Sequence, residues 1–228
     1  MNKVIGLKEA VKKIESGMTL MVGGFIGCGN PHRIISALAN SDVTDLTLIC
    51  NDGSIIDQEG SCYGVAKLIA NHQVKKIIAS HVGTNREVAR QMNAGTLELI
   101  LVPQGSLVEM IRAGGSGLGG VLTPTGVGTI VEEAEHVHSR IEISGKQYLL
   151  EKPLVADFAL ISGYQVDFFG NTWYKGTTRN FNEVMALAGH QVIVEADHLV
   201  PIGSIPPEDI RTPGVLVDYI VEGGSFNE

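Results

Sequence analysis

Residues 18–33 read MTLMVGGFIGCGNPHR. The apolar run Thr19–Val22 predicts a buried strand that feeds a glycine-rich turn. A helix follows from about His32 to Ala39, with Asn30 as its N-cap and Pro31 at the first helical position, where proline is tolerated. This is one β–α unit, and the same rhythm extends outward from it. Upstream, Leu7, Ala10, Val11 and Ile14 form the apolar stripe of a short helix over Leu7–Glu15. Downstream, strands at Leu46–Cys50, Lys76–Ser80 and Leu97–Val102 alternate with helices at Tyr63–Ala70, from Asn85 as cap to about Met92, and at Leu107–Arg112. Uninterrupted apolar strands alternating with helices predict a parallel sheet covered on both faces.

The rhythm changes after that. Gly114–Thr129 has little secondary-structure potential, and Ser144-Gly145-Lys146 between two apolar stretches predicts a β-hairpin over Ile141–Leu150. Further strands are expected at Ala156–Ser162, Val192–Ala196 and Val217–Val221, with a helix from Asn180 as cap to Leu187. The expected fold is therefore α/β: an open, mostly parallel sheet with helices on both faces and a mixed, partly antiparallel C-terminal part. No linker or repeat marks a boundary, so residues 1–228 read as one domain with a short flexible C-terminal tail at about 223–228.

Composition narrows the function. Glycine accounts for 28 of 228 residues, and the excess is local: four fall in 23–29 and eight in 105–128. Two segments are thus built for unusual backbone geometry in an otherwise ordinary globular chain. A net charge of −8 with no Lys/Arg cluster argues against nucleic acid and against an anionic membrane surface. No apolar run is long enough to span a membrane, and the N-terminal stretch lacks the apolar core of a signal peptide. Cys28, Cys50 and Cys62 are odd in number and form no CxxC pair, which fits a reducing cytoplasm.

A strand, a glycine turn and a helix start together favour an anion, because main-chain N–H groups and the helix dipole face the turn. The dinucleotide and P-loop fingerprints both fail here, since neither a third glycine nor a Gly-Lys pair follows. On spacing alone, a tight turn that binds nothing remains open. The second segment, residues 101–130, reads as a strand end, a turn, a short helix and a long ordered loop. Cys28 stands where a thiolate is stabilised, but no base is identifiable beside it. His136 and His138 share one face if they lie on a strand; the acidic run before them favours a solvated loop and no metal. His81 at a strand end, and Trp173 and Tyr174, read more readily as structural than as ligand-binding.

Gly23-Gly24-Phe25-x-x-x-Gly29-x-Pro31 resembles the signature of the α subunit of family I CoA-transferases, the 3-oxoacid, acetoacetate, acetate and butyrate CoA-transferases. Asn51-Asp52, Ser80-His81-x-Gly83-Thr84-Asn85, Pro103-Gln104-Gly105, Arg112-Ala113-Gly114-Gly115, Thr123-Pro124-Thr125-Gly126, Gly170-Asn171, Arg179-Asn180-Phe181-Asn182 and Thr212-Pro213-Gly214 are similar to α-subunit motifs in the same order. Ser16, where the family has Asp or Asn before the glycine, departs from the pattern.

The resemblance implies that Gly23, Gly24, Phe25, Ile26, Gly27, Cys28 and Gly29 bind coenzyme A. It places Gln104 and Gly105 near the acyl pocket, with residues 104–129 as a wall facing the acyl group, and Lys175 and Arg179 as partners for phosphate or carboxylate. Coenzyme A is then a substrate, with no permanently bound cofactor. The implied reaction moves CoA from a short-chain acyl-CoA (acetoacetyl-CoA, butyryl-CoA or acetyl-CoA) to acetate or butyrate. A glutamate carries the covalent glutamyl-CoA intermediate. In the family that glutamate lies in a Ser-Glu-Asn-Gly stretch of the β subunit, and this chain has no such stretch. The nucleophile is therefore expected on a separate β chain, in an α2β2 assembly. The competing readings are a non-catalytic ligand-binding subunit and a sugar-phosphate isomerase-like α/β enzyme.

Overall fold

The computed structural model describes residues 3–223; beyond Gly223, the expected C-terminal tail lies outside the described residues. The first half alternates as its apolar pattern dictates: α1 (Leu7–Val11), β1 (Thr19–Val22), α2 (His32–Ala39), β2 (Leu46–Cys50), α3 (Ala66–Ala70), β3 (Val74–Ala79), α4 (Arg86–Asn93), β4 (Glu98–Leu101) and α5 (Gln104–Gly115). The second half adds β5 (Val121–Thr123), β6 (Val137–Ile143), β7 (Lys146–Glu151), β8 (Ala156–Asp167), β9 (Thr172–Trp173), α6 (Asn182–Ala188), β10 (Gly189–Val200) and β11 (Tyr219–Glu222). The main sheet runs β11-β10-β8-β1-β2-β3-β4, with every neighbouring pair parallel. Among these strands, antiparallel pairing joins β9 to the end of β8 and builds a separate sheet, β5-β7-β6.

Successive side chains of a strand point to opposite faces, so each apolar strand feeds two cores. Leu20, Val22, Leu48, Ile77 and Leu160 pack under α1–α4, against Ile34, Ile35 and Leu38 of α2. Met21, Ile49, Ile78, Ile100 and Ile161 pack under α5 and α6, against Leu107, Met110 and Met185. Each such side chain, fully buried, contributes ~1.5–3 kcal/mol. Helices on both faces are the direct consequence.

The structure departs from local expectation in several elements. α1 and α3 are shorter than their apolar stripes suggest. α5 runs past Arg112 through Gly114 and Gly115, because these glycines sit against other backbone. A Cβ on Gly114 would stand 1.9 Å from the Leu154 carbonyl oxygen. The segment after α5, expected to lack structure, forms β5 because β7 offers it an edge.

The architecture has two poles. All the parallel strands end at one edge, where the turns after β1 and β2 meet the start of α5. The three-stranded sheet sits at the other edge. There Lys76, near the start of β3, pairs with Glu98 at 3.2 Å and with Glu135 at 2.5 Å. The 12 residues of α5 separate the poles by about 18 Å at 1.5 Å per residue. Gln104 and Gly105 thus lie at the first pole and Gly114–Thr129 at the second, so residues 104–129 do not form one wall. No helix among the described residues is long and apolar enough to cross a membrane.

Candidate functional site

In open α/β sheets, ligands meet the crevice beyond the carboxyl ends of the strands. Here that crevice is framed by the Gly23–Gly29 turn. Phe25 and Cys28 exchange both main-chain hydrogen bonds, at 3.0 and 2.9 Å, around a two-residue tip. The tip residues, Ile26 at φ 46° and Gly27 at φ 84°, are both left-handed, as in a type I′ hairpin turn. For an L-residue this conformation costs ~1–2 kcal/mol, and a β-branched side chain adopts it rarely. Phe25 and Ile26 nonetheless point their side chains outward, 42% and 36% exposed.

Polar side chains from distant elements hold the turn. Asn182, fully buried at the start of α6, accepts from Ser162 N at 3.0 Å and donates to Gly29 O at 2.9 Å and Thr178 O at 2.7 Å. Its Oδ1 lies where a side chain on Gly23 would begin, 1.9 Å from an ideal Cβ, which is why that position is glycine. Asn180, expected as the helix cap, instead donates to Cys28 O at 2.9 Å, and the cap position falls to Phe181. Asn30 likewise does not cap α2. It turns back to donate to Gly23 O at 2.6 Å, while Pro31 takes the cap position.

The N–H groups at the start of α2, where an anionic ligand was expected, are met by a side chain of the protein itself. Glu195 of β10 accepts from Arg33 N at 3.1 Å and from Ile34 N at 2.8 Å. Burial pushes its carboxyl above the usual range, opposed by those two amide bonds. A groove of about 1040 Å³ begins at Gly27–Asn30 and follows the outer face of α2 to Lys67. Lys67 Nζ donates to Ser36 Oγ at 2.7 Å, and Arg33 donates to Glu222 O at 3.1 Å. These two cations line the groove; no signal in the sequence had singled them out.

Gln104 opens α5 and reaches the turn through two buried side chains. Its Nε2 donates to Asn51 Oδ1 at 2.7 Å, Asn51 Nδ2 donates to Asp52 Oδ2 at 2.7 Å, and that oxygen accepts from Ile26 N at 2.9 Å. Asp52 Oδ1 accepts from Ser54 N at 2.7 Å. Asn51 and Asp52 are almost fully buried. The structure thereby joins the two segments that sequence patterning could only place side by side. Gly105 is exposed, with open space where a side chain would stand.

The remaining candidates divide. Lys175 lies over the Tyr164 ring, 4.7 Å from its centroid, and Arg179 pairs with Glu183 one helical turn on. Cys28 is exposed, its sulfur 3.4 Å from Thr177 Oγ1. Tyr174 is buried with its hydroxyl 2.6 Å from Thr212 Oγ1. Among the described residues no group of three or more His, Cys, Asp or Glu side chains is arranged to hold a metal. His136 is not in a solvated loop. A register shift between Val137 and Ser139 leaves His138 exposed and buries His136 against Glu151, 3.5 Å from Nε2 to Oε2. Neither side chain has a hydrogen-bond partner among the described residues. Burial pushes the Glu151 carboxyl up to about 7 and lowers the His136 imidazole.

The fold is shared with solved structures. An acyl-CoA transferase from Escherichia coli O157:H7, crystallised as a thioester complex with CoA, superposes with a TM-score of 0.85 at 24% identity over 97% of this chain. The present chain spans 47% of that protein, about half its length. Glutaconate coenzyme A-transferase from Acidaminococcus fermentans gives 0.83 at 22% identity, covering 97% of this chain and 76% of that one. These likenesses define the fold.

Sequence carries the assignment further. The model of the coenzyme A transferase family matches residues 4–223. The chain is 48% identical over 219 residues to the acetate CoA-transferase subunit alpha of Escherichia coli K12, covering 96% of each. It is 49% identical over 224 residues to the acetoacetyl-CoA:acetate/butyrate CoA transferase alpha subunit of Clostridium acetobutylicum, covering 97% of this chain and 98% of that one. The chain belongs to the coenzyme A transferase family.

Proposed function

We propose that this chain is the α subunit of an acyl-CoA:carboxylate CoA-transferase, acting as one domain with a β subunit in an α2β2 assembly in the cytoplasm. The observation that carries the reading is the hydrogen-bonded path from Gln104 through Asn51 and Asp52 to the Gly23–Gly29 turn. It ties the start of α5 to the glycine turn at the carboxyl edge of the sheet. The near full-length likeness to α subunits named for acetate and acetoacetyl-CoA supports the same reading.

Gly23–Gly29 contacts coenzyme A, a transient substrate with no permanently bound cofactor beside it. Gln104 donates toward the acyl or carboxylate oxygen, and Gly105 leaves room beside it. Lys175 and Arg179 flank the turn as secondary anion contacts. The chemistry is the exchange of a thioester for a carboxylate: a glutamate of the β subunit attacks the acyl-CoA carbonyl and expels CoA thiolate, leaving an acyl-glutamyl anhydride. The thiolate attacks the glutamyl carbonyl of that anhydride and releases the donor acid as carboxylate. The acceptor carboxylate then attacks the glutamyl thioester, and the returning thiolate takes the new acyl group and frees the glutamate. This chain contributes orientation, hydrogen-bond donors and exclusion of water.

The test is reconstitution. With a CoA-transferase β subunit, the chain is expected to transfer CoA from acetoacetyl-CoA to acetate or butyrate, and alone it is expected to be inactive. Full turnover by the chain alone would refute the division of labour, and no transfer by the pair would refute the function.

A further inference from the structure

We propose that Asp52 is a positioning residue. It locks the Ile26–Gly27 tip in its left-handed form, so that the exposed Phe25 and Ile26 side chains meet the apolar arm of an acyl-CoA as a preset wall. The proposal rests on the reading of Gly23–Gly29 as the CoA-binding turn.

The described residues contain two tips of the same form. Ser144-Gly145, between β6 and β7, is left-handed at φ 52° and 75°. It uses small residues that suit such a turn, and it stands exposed. Ile26-Gly27 has the same backbone with a β-branched residue at its first position. Such a residue does not hold φ 46° unaided. The Ile26 N–H is bound by Asp52 Oδ2 at 2.9 Å, and that carboxylate is itself fixed by Asn51 Nδ2 and Ser54 N, each at 2.7 Å. Asn51 is in turn fixed by Ser80 Oγ at 3.2 Å and reads out to Gln104 at 2.7 Å. Both oxygens of Asp52 accept, so an amide at this position sets a donor against a donor in either orientation. Strain held by a buried carboxylate, with two exposed apolar side chains at the strained point, marks a surface shaped for a ligand and not merely a chain reversal.

The test uses this chain assembled with its β subunit, with acetoacetyl-CoA and acetate as substrates. Asp52→Asn is expected to raise the KM for acetoacetyl-CoA at least tenfold while the KM for acetate stays within twofold. A purely structural role would lower the yield of assembled enzyme and leave both constants unmoved, which overturns the proposal. In an Ile26→Gly background the left-handed form needs no holding, so adding Asp52→Asn is expected to change the acetoacetyl-CoA KM less than threefold. An equal tenfold effect in both backgrounds overturns the proposal. Should Asp52→Asn alone fail to assemble, the double variant decides: assembly with a KM within threefold of Ile26→Gly supports the proposal, and failure to assemble overturns it. Gly27→Ala separates the proposal from the reading beneath it. If Gly27→Ala raises the acetoacetyl-CoA KM and Asp52→Asn does not, the proposal falls and the CoA-binding turn stands. If neither moves it, both fall.

Discussion

The two poles of the molecule both bury polar side chains, and they treat them differently. At the carboxyl edge of the main sheet, Asn51 bonds Asp52, and Asp52 and Asn182 each bond the glycine turn, where among the described residues only Asn30 Oδ1 is buried without a partner. At the opposite edge, His136 and Glu151 are equally buried and face each other at 3.5 Å with no hydrogen-bond partner among the described residues. A satisfied buried network fixes geometry, whereas an unsatisfied pair loses its charge instead. The first pole is therefore rigid and polar, as a site that orients a substrate requires. The second holds a buried carboxyl that exchanges its proton around pH 7.

That contrast is open to attack, first at its strongest point. Gly23→Ala places a methyl group on Asn182 Oδ1 and displaces the residue that pins the Gly29 end of the turn. The expected loss is about 3 kcal/mol, read as a large drop in thermal midpoint. Retention of wild-type stability would mean that the turn is not held as rigidly as its bonds indicate.

Next is the other pole. Glu151 has its carboxyl raised in the folded chain, so the folded state keeps a proton that the unfolded state has released. That contribution is complete below the ordinary value of 4.5 and is lost as pH rises to about 7. His136, lowered by burial, acts in the opposite sense below its own ordinary value of 6.5. Glu151→Gln removes only the first effect. Its stability relative to wild type is expected to grow in favour of the variant as pH rises, by up to about 3 kcal/mol at ~1.4 kcal/mol per pKa unit. Thermal unfolding across that range measures it, and a difference independent of pH would show that Glu151 is solvated.

The smallest effect sharpens the first pole. Gly27 has φ 84° and open space where a side chain would stand, so Gly27→Ala carries backbone cost without a clash. About 1 kcal/mol of stability is expected to be lost in thermal unfolding.

Much of the fold was legible because its signals are local. Thr19–Val22, His32–Ala39 and Leu46–Cys50 fall where apolar periodicity puts them. Asn85 caps α4 as read, its Oδ1 accepting from Glu87 N at 3.0 Å. The other two expected caps failed for one reason: Asn30 and Asn180 found better partners in the glycine turn. The site was half legible. Its segments were marked by glycine and by resemblance, but Asp52 and Asn182 were visible only as members of motifs, without a role. At the start of α2 the sequence pointed to an anionic ligand; the structure puts the side chain of Glu195 on those N–H groups, which no local pattern marked.

By itself the sequence determined the β–α alternation, the concentration of glycine in two segments, the family and the lack of the Ser-Glu-Asn-Gly stretch. Each is written in neighbouring residues or in their order along the chain. Only the tertiary structure decided what fills the space those glycines leave, which carboxylate caps α2 and how Gln104 reaches the turn. The physical reason is that a hydrogen bond needs proximity in space and leaves no periodicity in sequence. Glu195 and Arg33, 162 residues apart, meet only because β10 and β1 enter the same sheet on either side of β8.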